Sequence, residues 1–222
     1  MNNGSSTSVY TVGHSTHAQE HLIALLEQHG VTALCDVRSR PYSRMNPQFN
    51  RAELTRVLKK RSIRYVFLGE ELGARSDDPN CYKDGRVQYD LLARTELFQK
   101  GLDRIVKGMK SFKLALMCAE KDPLYCHRTI LVARHLQQRK VPVTHILANG
   151  AVETQEEALL RLAQLLNVRE EETHMFRSRE QLFDELYEMQ ERRIAYELDP
   201  ASGTESKQKG ELQDEDLHDR FY

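Results

Sequence analysis

Short apolar runs that alternate with helical patterns place the strongest constraint on how this chain folds. Each run is apolar throughout, which is typical of strands buried on both faces of a parallel sheet. Between the runs, apolar residues recur at helical spacing, for example at Leu22, Leu25 and Leu26. The five predicted strands cover residues 9–12, 31–37, 63–68, 113–119 and 141–147.

The β-α-β-α order predicts an α/β fold, a three-layer open parallel sheet with helices on both faces and a C-terminal helical extension. Residues 69–85, rich in Gly, Asp and Asn, are expected to form an ordered surface loop, and residues 89–109 and 126–138 to form helices. Along the chain we predict a flexible N-terminus (1–8), an α/β domain (9–150), the helical extension (151–198) and a disordered acidic tail (199–222).

Composition excludes several classes of protein. Hydrophobic residues make up 40% of the 222 residues, which is enough for a core and argues against wholesale disorder. The 32 basic and 33 acidic residues nearly cancel, so the chain does not carry positive charge over its whole surface. No apolar run approaches the ~18 residues of a membrane span, and the polar start lacks a secretory signal pattern. We therefore expect a cytoplasmic protein without membrane contact, whose four cysteines are free thiols.

Chemically rich residues follow the predicted strands at the end where ligands of open parallel sheets bind. His14 follows the first strand, and Asp36 with Arg38 follows the second. Cys118 and Glu120 occupy the end of the fourth. Because the carboxyl ends of parallel strands share one edge of a sheet, we expect these side chains to converge there. His14, beside a Gly turn, is a candidate acid, base or hydrogen-bond donor, and its alternative role is to cap the next helix.

A basic segment after the second strand predicts an anion site. Arginine side chains match phosphate and carboxylate groups with two parallel hydrogen bonds. Arg38 and Arg44 are the predicted anion ligands, and Ser43 adds a hydroxyl group beside them. Arg75, in the loop after the third strand, is expected to reach the same pocket. The basic residues 59–61 are interpreted instead as a solvated helix face.

The segment that joins the fourth strand to the next helix carries thiols, an imidazole, a carboxylate and a guanidinium. The N-terminus of a helix favours anions and lowers the pKa of a thiol. Cys126, His127 and Arg128 are therefore candidates for nucleophile, acid/base and anion clamp. Glu120 is a candidate general base. Alternatively, the cysteines of this segment are buried core thiols, and Arg128 pairs with Asp36.

Motif spacing predicts neither a metal site nor a nucleotide-cofactor loop. Cys118, Cys126 and His127 fit neither a paired CxxC zinc pattern nor an iron–sulfur run. Only the fold could complete a site around them, with His14, His17 or Cys35. The segment 69–75 is neither a Walker loop nor a GxGxxG turn. We therefore predict no metal ligand, and a metal or redox centre is the least favoured interpretation.

Several of these motifs, in this order, resemble those of one family. The motifs are 11–15, 36–38, 41 with 43–44, 68–69 with 72–73, 117–120 and 126–128. Over residues 9–147 the chain resembles the domain of unknown function 488 family, which is widespread in bacteria. The resemblance implies a shared fold and a shared site without naming a reaction. The family's motif positions are occupied by His14, Asp36, Arg38, Ser43, Arg44, Cys118, Glu120, Cys126, His127 and Arg128.

The favoured hypothesis is an enzyme that acts on a phosphate-bearing small molecule, such as a nucleotide or a nucleic-acid component. In it, the guanidinium groups of Arg38, Arg44 and Arg128 clamp the anion. Glu120 and the histidines at positions 14 and 127 move protons, and the Cys126 thiol is either a nucleophile or a binding group. The alternative is a non-catalytic module that binds nucleic acid through the basic surface 38–64. Its aromatic residues for base stacking are few: Tyr42, Phe49 and Tyr65.

Overall fold

The computed structural model describes residues 8–168 and 178–198, which form an α/β fold of three layers. The strands are β1 (Val9–Gly13), β2 (Ala33–Asp36), β3 (Arg64–Phe67), β4 (Tyr82–Lys83), β5 (Arg86–Val87), β6 (Leu114–Cys118), β7 (Val143–Ile146) and β8 (Val152–Thr154). Six of them form one sheet in the order β3-β2-β6-β1-β7-β8, and β4 pairs with β5 separately. All pairs in the sheet are parallel except β7 with β8. The predicted fold class is confirmed.

Helices of very different length connect these strands. They are α1 (Gln19–Gln28), α2 (Arg51–Lys60), α3 (Gly69–Leu72), α4 (Tyr89–Ala93), α5 (Glu96–Gly108), α6 (Arg134–Gln138), α7 (Gln155–Leu165) and a C-terminal helix (Arg179–Ile194). Short 3₁₀ turns cover Pro47–Phe49, Pro79–Cys81 and Pro123–Tyr125. A π-helical turn, Arg128–Ala133, leads directly into α6. Apart from Ser8, the predicted flexible N-terminus and acidic tail lie outside the described residues.

Two apolar cores lie on opposite faces of the sheet. Along β6, Leu114, Leu116 and Cys118 contribute to one core, while Ala115 and Met117 contribute to the other. Helices α1 and α2 cover the second core, and α5, α6, α7 and the C-terminal helix cover the first. Because both faces are covered, the strands are apolar throughout, as their sequences predict. Among the described residues, no helix is long and apolar enough to span a membrane.

Local capping and short strands account for the differences from the predicted elements. The helix expected over 89–109 is broken, because the Thr95 hydroxyl accepts a hydrogen bond from the Phe98 N–H at 3.2 Å and starts α5. The expected loop 69–85 contains α3 and β4. The sixth strand, β8, has three residues that are mostly exposed, so no apolar run marks it.

A buried histidine on β7 links the sheet to the C-terminal helix through Gln155. The Nδ1 atom of His145 accepts a hydrogen bond from the Thr11 hydroxyl at 2.7 Å, and Nε2–H donates to Gln155 Oε1 at 2.7 Å. The Gln155 amide in turn donates to the Tyr187 hydroxyl at 2.9 Å. Burial, with the positive charge of Arg128, lowers the pKa of His145 to about 3. The imidazole is therefore neutral in the folded protein at pH 7.

We expect His145 to make stability fall as the solution is acidified. The unfolded chain takes up a proton near pH 6.5, whereas folded His145 resists protonation until about pH 3. Its contribution is complete well above pH 6.5, and about 2 kcal/mol of it is lost between pH 6.5 and pH 4.5. Arg161 also disfavours the imidazolium, and Asp122 opposes this effect only in part. Urea unfolding at the two pH values checks this, since His145→Gln should lose about 2 kcal/mol less than the wild type. Equal losses would contradict it.

Candidate functional site at the carboxyl edge of the sheet

The carboxyl ends of the three central strands bring the chemically rich residues together. In the parallel register, Gly13 lies opposite Cys118, and Asp36 lies opposite Met117. The segments that follow β1 and β6 remain side by side, because the Ser15 N–H donates to the Ala119 carbonyl oxygen at 2.8 Å. The predicted convergence of strand ends is therefore observed. It unites His14, Asp36, Arg38, Cys118, Glu120, Cys126, His127 and Arg128 at one edge.

A buried ion pair lies at the end of β2. The Asp36 carboxylate accepts hydrogen bonds from Arg38 Nε at 2.9 Å and from Arg38 Nη2 at 2.6 Å, and the Tyr65 hydroxyl donates to it at 2.7 Å. Arg38 Nη2 also donates to the Phe49 carbonyl oxygen at 2.8 Å. The Arg38 side chain is 7% exposed and the Asp36 side chain is 0% exposed. The Asp36 partner is thus Arg38, and the alternative pairing of Arg128 with Asp36 is wrong.

His14 is neutral and holds Arg38 in place. Its Nδ1–H donates to the Ser15 carbonyl oxygen at 2.8 Å, so Nε2 accepts from Arg38 Nη1 at 3.1 Å. The imidazole also stacks on Phe49, with ring centroids 4.3 Å apart. Burial, followed by the charge of Arg38, lowers the pKa of His14 to about 4. Both ring nitrogens are occupied, so this geometry favours a positioning role, and proton transfer by His14 stays a prediction.

Two thiols and an imidazole form a compact buried group, which we call the Cys–His centre (Cys118, Cys126 and His127). Their ligand atoms all lie within 4.8 Å of one another. His127 Nε2 lies 3.1 Å from the Val37 carbonyl oxygen, which can only accept, so Nε2 carries the hydrogen. His127 Nδ1 therefore faces the sulfur atoms, at 3.6 Å from Cys118 and 3.9 Å from Cys126. His14, His17 and Cys35, any of which could have completed such a group through the fold, are not part of it.

Glu120 lies beside the Cys–His centre. Burial alone would raise the pKa of Glu120, but its interactions with Cys126, His127 and Cys118 lower it below its usual value. Burial alone would lower the pKa of His127, but the Cys126 sulfur and the Glu120 charge raise it. Glu120 Oε2 is buried and has no hydrogen-bond partner among the described residues. One carboxylate oxygen thus remains for a ligand.

Arg128 fastens the loop that carries Glu120. The guanidinium is fully buried, and its Nη1 and Nη2 donate to the carbonyl oxygens of Glu120 and Lys121 at 2.6 and 3.0 Å. Gly13 lies directly below, since a Cβ atom there would be 1.8 Å from the Glu120 carbonyl oxygen and 3.1 Å from Arg128 Nη1. Arg128 Nε has no hydrogen-bond partner among the described residues. The main task of this arginine in the fold is to hold the backbone, and clamping an anion stays a prediction.

The expected lowering of the Cys126 pKa by a helix N-terminus is wrong. Cys126 does lie at this terminus, since the Thr129 and Ile130 N–H groups donate to its carbonyl oxygen at 3.1 and 3.3 Å, but burial has the larger effect on the thiol. Burial, followed by the interaction of the Cys126 thiol with the Cys118 sulfur, raises the pKa of Cys126 well above its ordinary value. The backbone N–H of Arg128 donates to its sulfur at 3.4 Å. Without a ligand the thiol is therefore protonated and shielded from solvent.

The other predicted substrate ligands lie outside this buried group. Arg44 is exposed and forms no hydrogen bond or ion pair within the described ranges. The Ser43 hydroxyl accepts from the Asn46 N–H at 3.1 Å and so stabilises a turn of the same loop. The Arg75 guanidinium stacks on Tyr196, 4.5 Å from the ring centroid, and thereby contacts the C-terminal segment. Arg44 is therefore the exposed one of the two arginines.

Two exposed arginines of the basic run 38–64 are paired with carboxylates. Arg56 pairs with Glu53, and Arg61 pairs with Glu27 at 3.4 Å. Residues 59–61 are exposed on and just after α2, in agreement with a solvated face. Of the three aromatic residues proposed for stacking, Phe49 is buried and Tyr65 binds Asp36, whereas Tyr42 is 67% exposed.

Sequence reasoning did not assign Tyr65, Phe49 and Tyr89 to this site. Tyr65 is on β3, where the residue pairing places it next to the end of β2. Phe49 contributes both its ring and its carbonyl oxygen. Tyr89 is fully buried next to Cys126 and Glu120, and burial raises its pKa well above the ordinary value. All three come from segments between strands or from an edge strand, and aromatic residues there are ordinary core residues by pattern.

Comparison with known proteins gives one match. The family model described as Domain of unknown function DUF488 matches residues 18–135, more than half of the chain. The chain belongs to this family. The DUF488 match includes the Asp36–Arg38 pair, the loop with Arg44, and the whole Cys–His centre, whereas His14 precedes it. No curated protein and no solved structure matches the chain significantly.

Proposed function

We propose that this protein is an enzyme that acts on a phosphate-bearing small molecule, a nucleotide or a nucleic-acid component, at the carboxyl edge of its sheet. The observation that carries the proposal is the Cys–His centre with Glu120 beside it. Buried polar groups in proteins are nearly always paired, so a buried carboxylate oxygen without a partner needs an explanation. A ligand or reacting group that completes Glu120 supplies one.

The substrate class follows from the loop after β2. This loop exposes Arg44, which has no partner among the described residues, together with Tyr42 and Met45, which are 67% and 82% exposed. A guanidinium beside an aromatic ring suits a phosphate next to a stacked base. Arg38 is neutralised by Asp36 and does not present a free charge. We therefore assign first contact with phosphate to Arg44, and the positioning of the site to Arg38 and Arg128.

In this proposal each buried residue of the site has a separate role. Glu120, kept ionised by its neighbours, accepts a proton from substrate or water. The His127 ring is oriented by its hydrogen bond to the Val37 carbonyl oxygen, so that Nδ1 faces the sulfur atoms of Cys118 and Cys126. His14 and Asp36 keep Arg38 rigid behind them. This division predicts that Glu120→Gln, which preserves shape and removes the charge, abolishes turnover while phosphate-ligand binding remains.

Replacing Arg44 is expected to weaken phosphate-ligand binding without harming the fold. Because a hydrogen bond to a charged group contributes about 1.5–3 kcal/mol, Arg44→Ala should raise the Kd for a nucleoside monophosphate about 10–100-fold. The melting temperature of the free protein should not change, since Arg44 is exposed. Calorimetric titration with nucleoside monophosphates, sugar phosphates and short oligonucleotides measures the effect.

Lys59→Ala is the matched control, because Lys59 is exposed at the far end of α2 and should bind nothing at this edge. Two outcomes contradict the proposal. Wild-type protein that binds no phosphate-bearing small molecule contradicts it directly. Binding of oligonucleotides only, weakened equally by Arg44→Ala and Lys59→Ala and lost steeply with salt, would identify the non-catalytic nucleic-acid-binding module instead.

A further inference from the structure

We infer that the Cys–His centre binds a soft divalent cation of the zinc class through Cys118 Sγ, Cys126 Sγ and His127 Nδ1. Thiolate and imidazole are the donors that zinc prefers in proteins. The inference stands on these three atoms and does not depend on which substrate the enzyme takes. It extends the proposed function by assigning a cofactor to the same edge of the sheet.

The distances from the imidazole to the two sulfurs suit a metal. A tetrahedral zinc ion, at about 2.3 Å from sulfur and about 2.0 Å from nitrogen, separates the two donor atoms by about 3.5 Å. The observed distances from His127 Nδ1 are 3.6 Å to Cys118 and 3.9 Å to Cys126. Because Nε2–H donates to the Val37 carbonyl oxygen, Nδ1 is the ring atom that faces both sulfurs. A single cation bound to Nδ1 would contact both sulfurs at once.

The surroundings of the three donors also suit a metal. Metal-binding histidines usually donate their other ring N–H to a carbonyl or carboxylate oxygen, which fixes the ring. His127 does this with the Val37 carbonyl oxygen at 3.1 Å. The Arg128 N–H donates to Cys126 Sγ at 3.4 Å, and such a bond stabilises negative charge on the sulfur. Every donor is buried, so little conformational freedom is left to lose on binding.

Three protein ligands are the number found at catalytic zinc sites, where the fourth position is open to water or substrate. Glu120, next to both sulfurs with Oε2 unpartnered, is suited to take a proton from a molecule in that position. This role for Glu120 rests on the proposed function, whereas metal binding itself does not.

Cobalt(II), which zinc sites accept, is the probe for the first test. Reduced full-length protein, freed of metal and without any phosphate ligand, is titrated with cobalt(II) while thiolate-to-cobalt absorption is recorded. We expect saturation at one ion per chain. Because loss of a group that only orients a ligand weakens metal binding about 10–100-fold, Cys118→Ser, Cys126→Ser and His127→Gln should each weaken it about 100-fold or more. Cys81→Ala removes another buried thiol, outside the centre, and should leave the titration unchanged.

Variants at buried positions can fail to fold, so zinc X-ray absorption of the wild-type protein is the second test. The proposal expects two sulfur atoms at about 2.3 Å and nitrogen or oxygen atoms at about 2.0 Å from the ion. A zinc environment without sulfur, or no retained metal in fully reduced protein, would overturn it. A Cys118–Cys126 disulfide in protein that holds no metal would overturn it in favour of a redox pair. Failure to bind phosphate ligands would leave these results unaffected and would count only against the proposed function.

Discussion

Asp36→Ala is expected to lower the free energy of unfolding by about 3–5 kcal/mol, the cost of leaving a buried charge without its partner. Asp36 receives three hydrogen bonds from Arg38 and one from Tyr65, at 2.6–3.1 Å. Without the carboxylate, Arg38 keeps its charge in a position that is only 6% exposed. His14 and the Phe49 carbonyl oxygen cannot neutralise it. Urea unfolding of the wild type and the variant at pH 7 measures the loss.

Two further variants separate the charge from the hydrogen bonds. Tyr65→Phe removes one hydroxyl donor and should cost about 1 kcal/mol. The double variant Asp36→Leu, Arg38→Met removes both charges and should be more stable than Asp36→Ala alone, because no buried ion is left unpaired. If Asp36→Ala costs no more than Tyr65→Phe, the ion pair does not support this edge of the sheet as described.

Gly13→Ala is expected to be as damaging as the loss of Asp36, although it adds only a methyl group. The new Cβ would lie 1.8 Å from the Glu120 carbonyl oxygen, so β1 and the loop after β6 would have to separate. Overpacking in a dense core usually costs 1–3 kcal/mol, and here the obstacle is backbone, so we expect about 3 kcal/mol or more. The hydrogen bond from Arg128 to this carbonyl should also break, and amide hydrogen exchange of residues 119–128 reports that change.

Gly85→Ala provides the matched control. Gly85 has φ +76°, and no atom lies within 4 Å of the position of an added Cβ. The substitution should therefore cost only the strain of the left-handed conformation, about 1–2 kcal/mol. If both glycine variants lose the same stability, close packing at Gly13 is not the cause, and the contact with the Glu120 loop does not limit this position.

The strands were predictable because their burial leaves a simple pattern. β1, β2, β3, β6 and β7 each lie within or next to a predicted apolar run. β8 escaped prediction because a three-residue, mostly exposed strand buries too little to leave such a pattern. The break before α5 depends on a single cap at Thr95, and a hydroxyl within a helical stretch is common without being a cap.

Most residues of the site could be predicted from the sequence, whereas the contacts between their side chains could not. Parallel strands bring their carboxyl ends to one edge, which places Asp36, Arg38 and Cys118 together without any knowledge of side chains. The pairing of Asp36 with Arg38 has a local cause, since residues two apart in an extended segment share a face. The approach of Cys126 to Cys118 depends on the turn Pro123–Tyr125, which the Asp122 side chain caps at 2.9 Å. Cys118 and Cys126 are eight residues apart, and no known metal-binding motif has this spacing among those considered, so the sequence alone did not predict their approach.

The position of β1 in the sheet affects the order in which this chain can fold. β1 comes first along the chain, yet both its neighbours, β6 and β7, come from the second half of the described body. Thr11 and His145, which are bonded to each other, are 134 residues apart. Contacts this distant in sequence form slowly, and the isolated pair of β2 and β3 is marginal by itself. During synthesis β1 therefore stays unpaired until β6 (Leu114–Cys118) has been made, about half-way along the 222 residues, and chaperone binding at 9–13 would protect it.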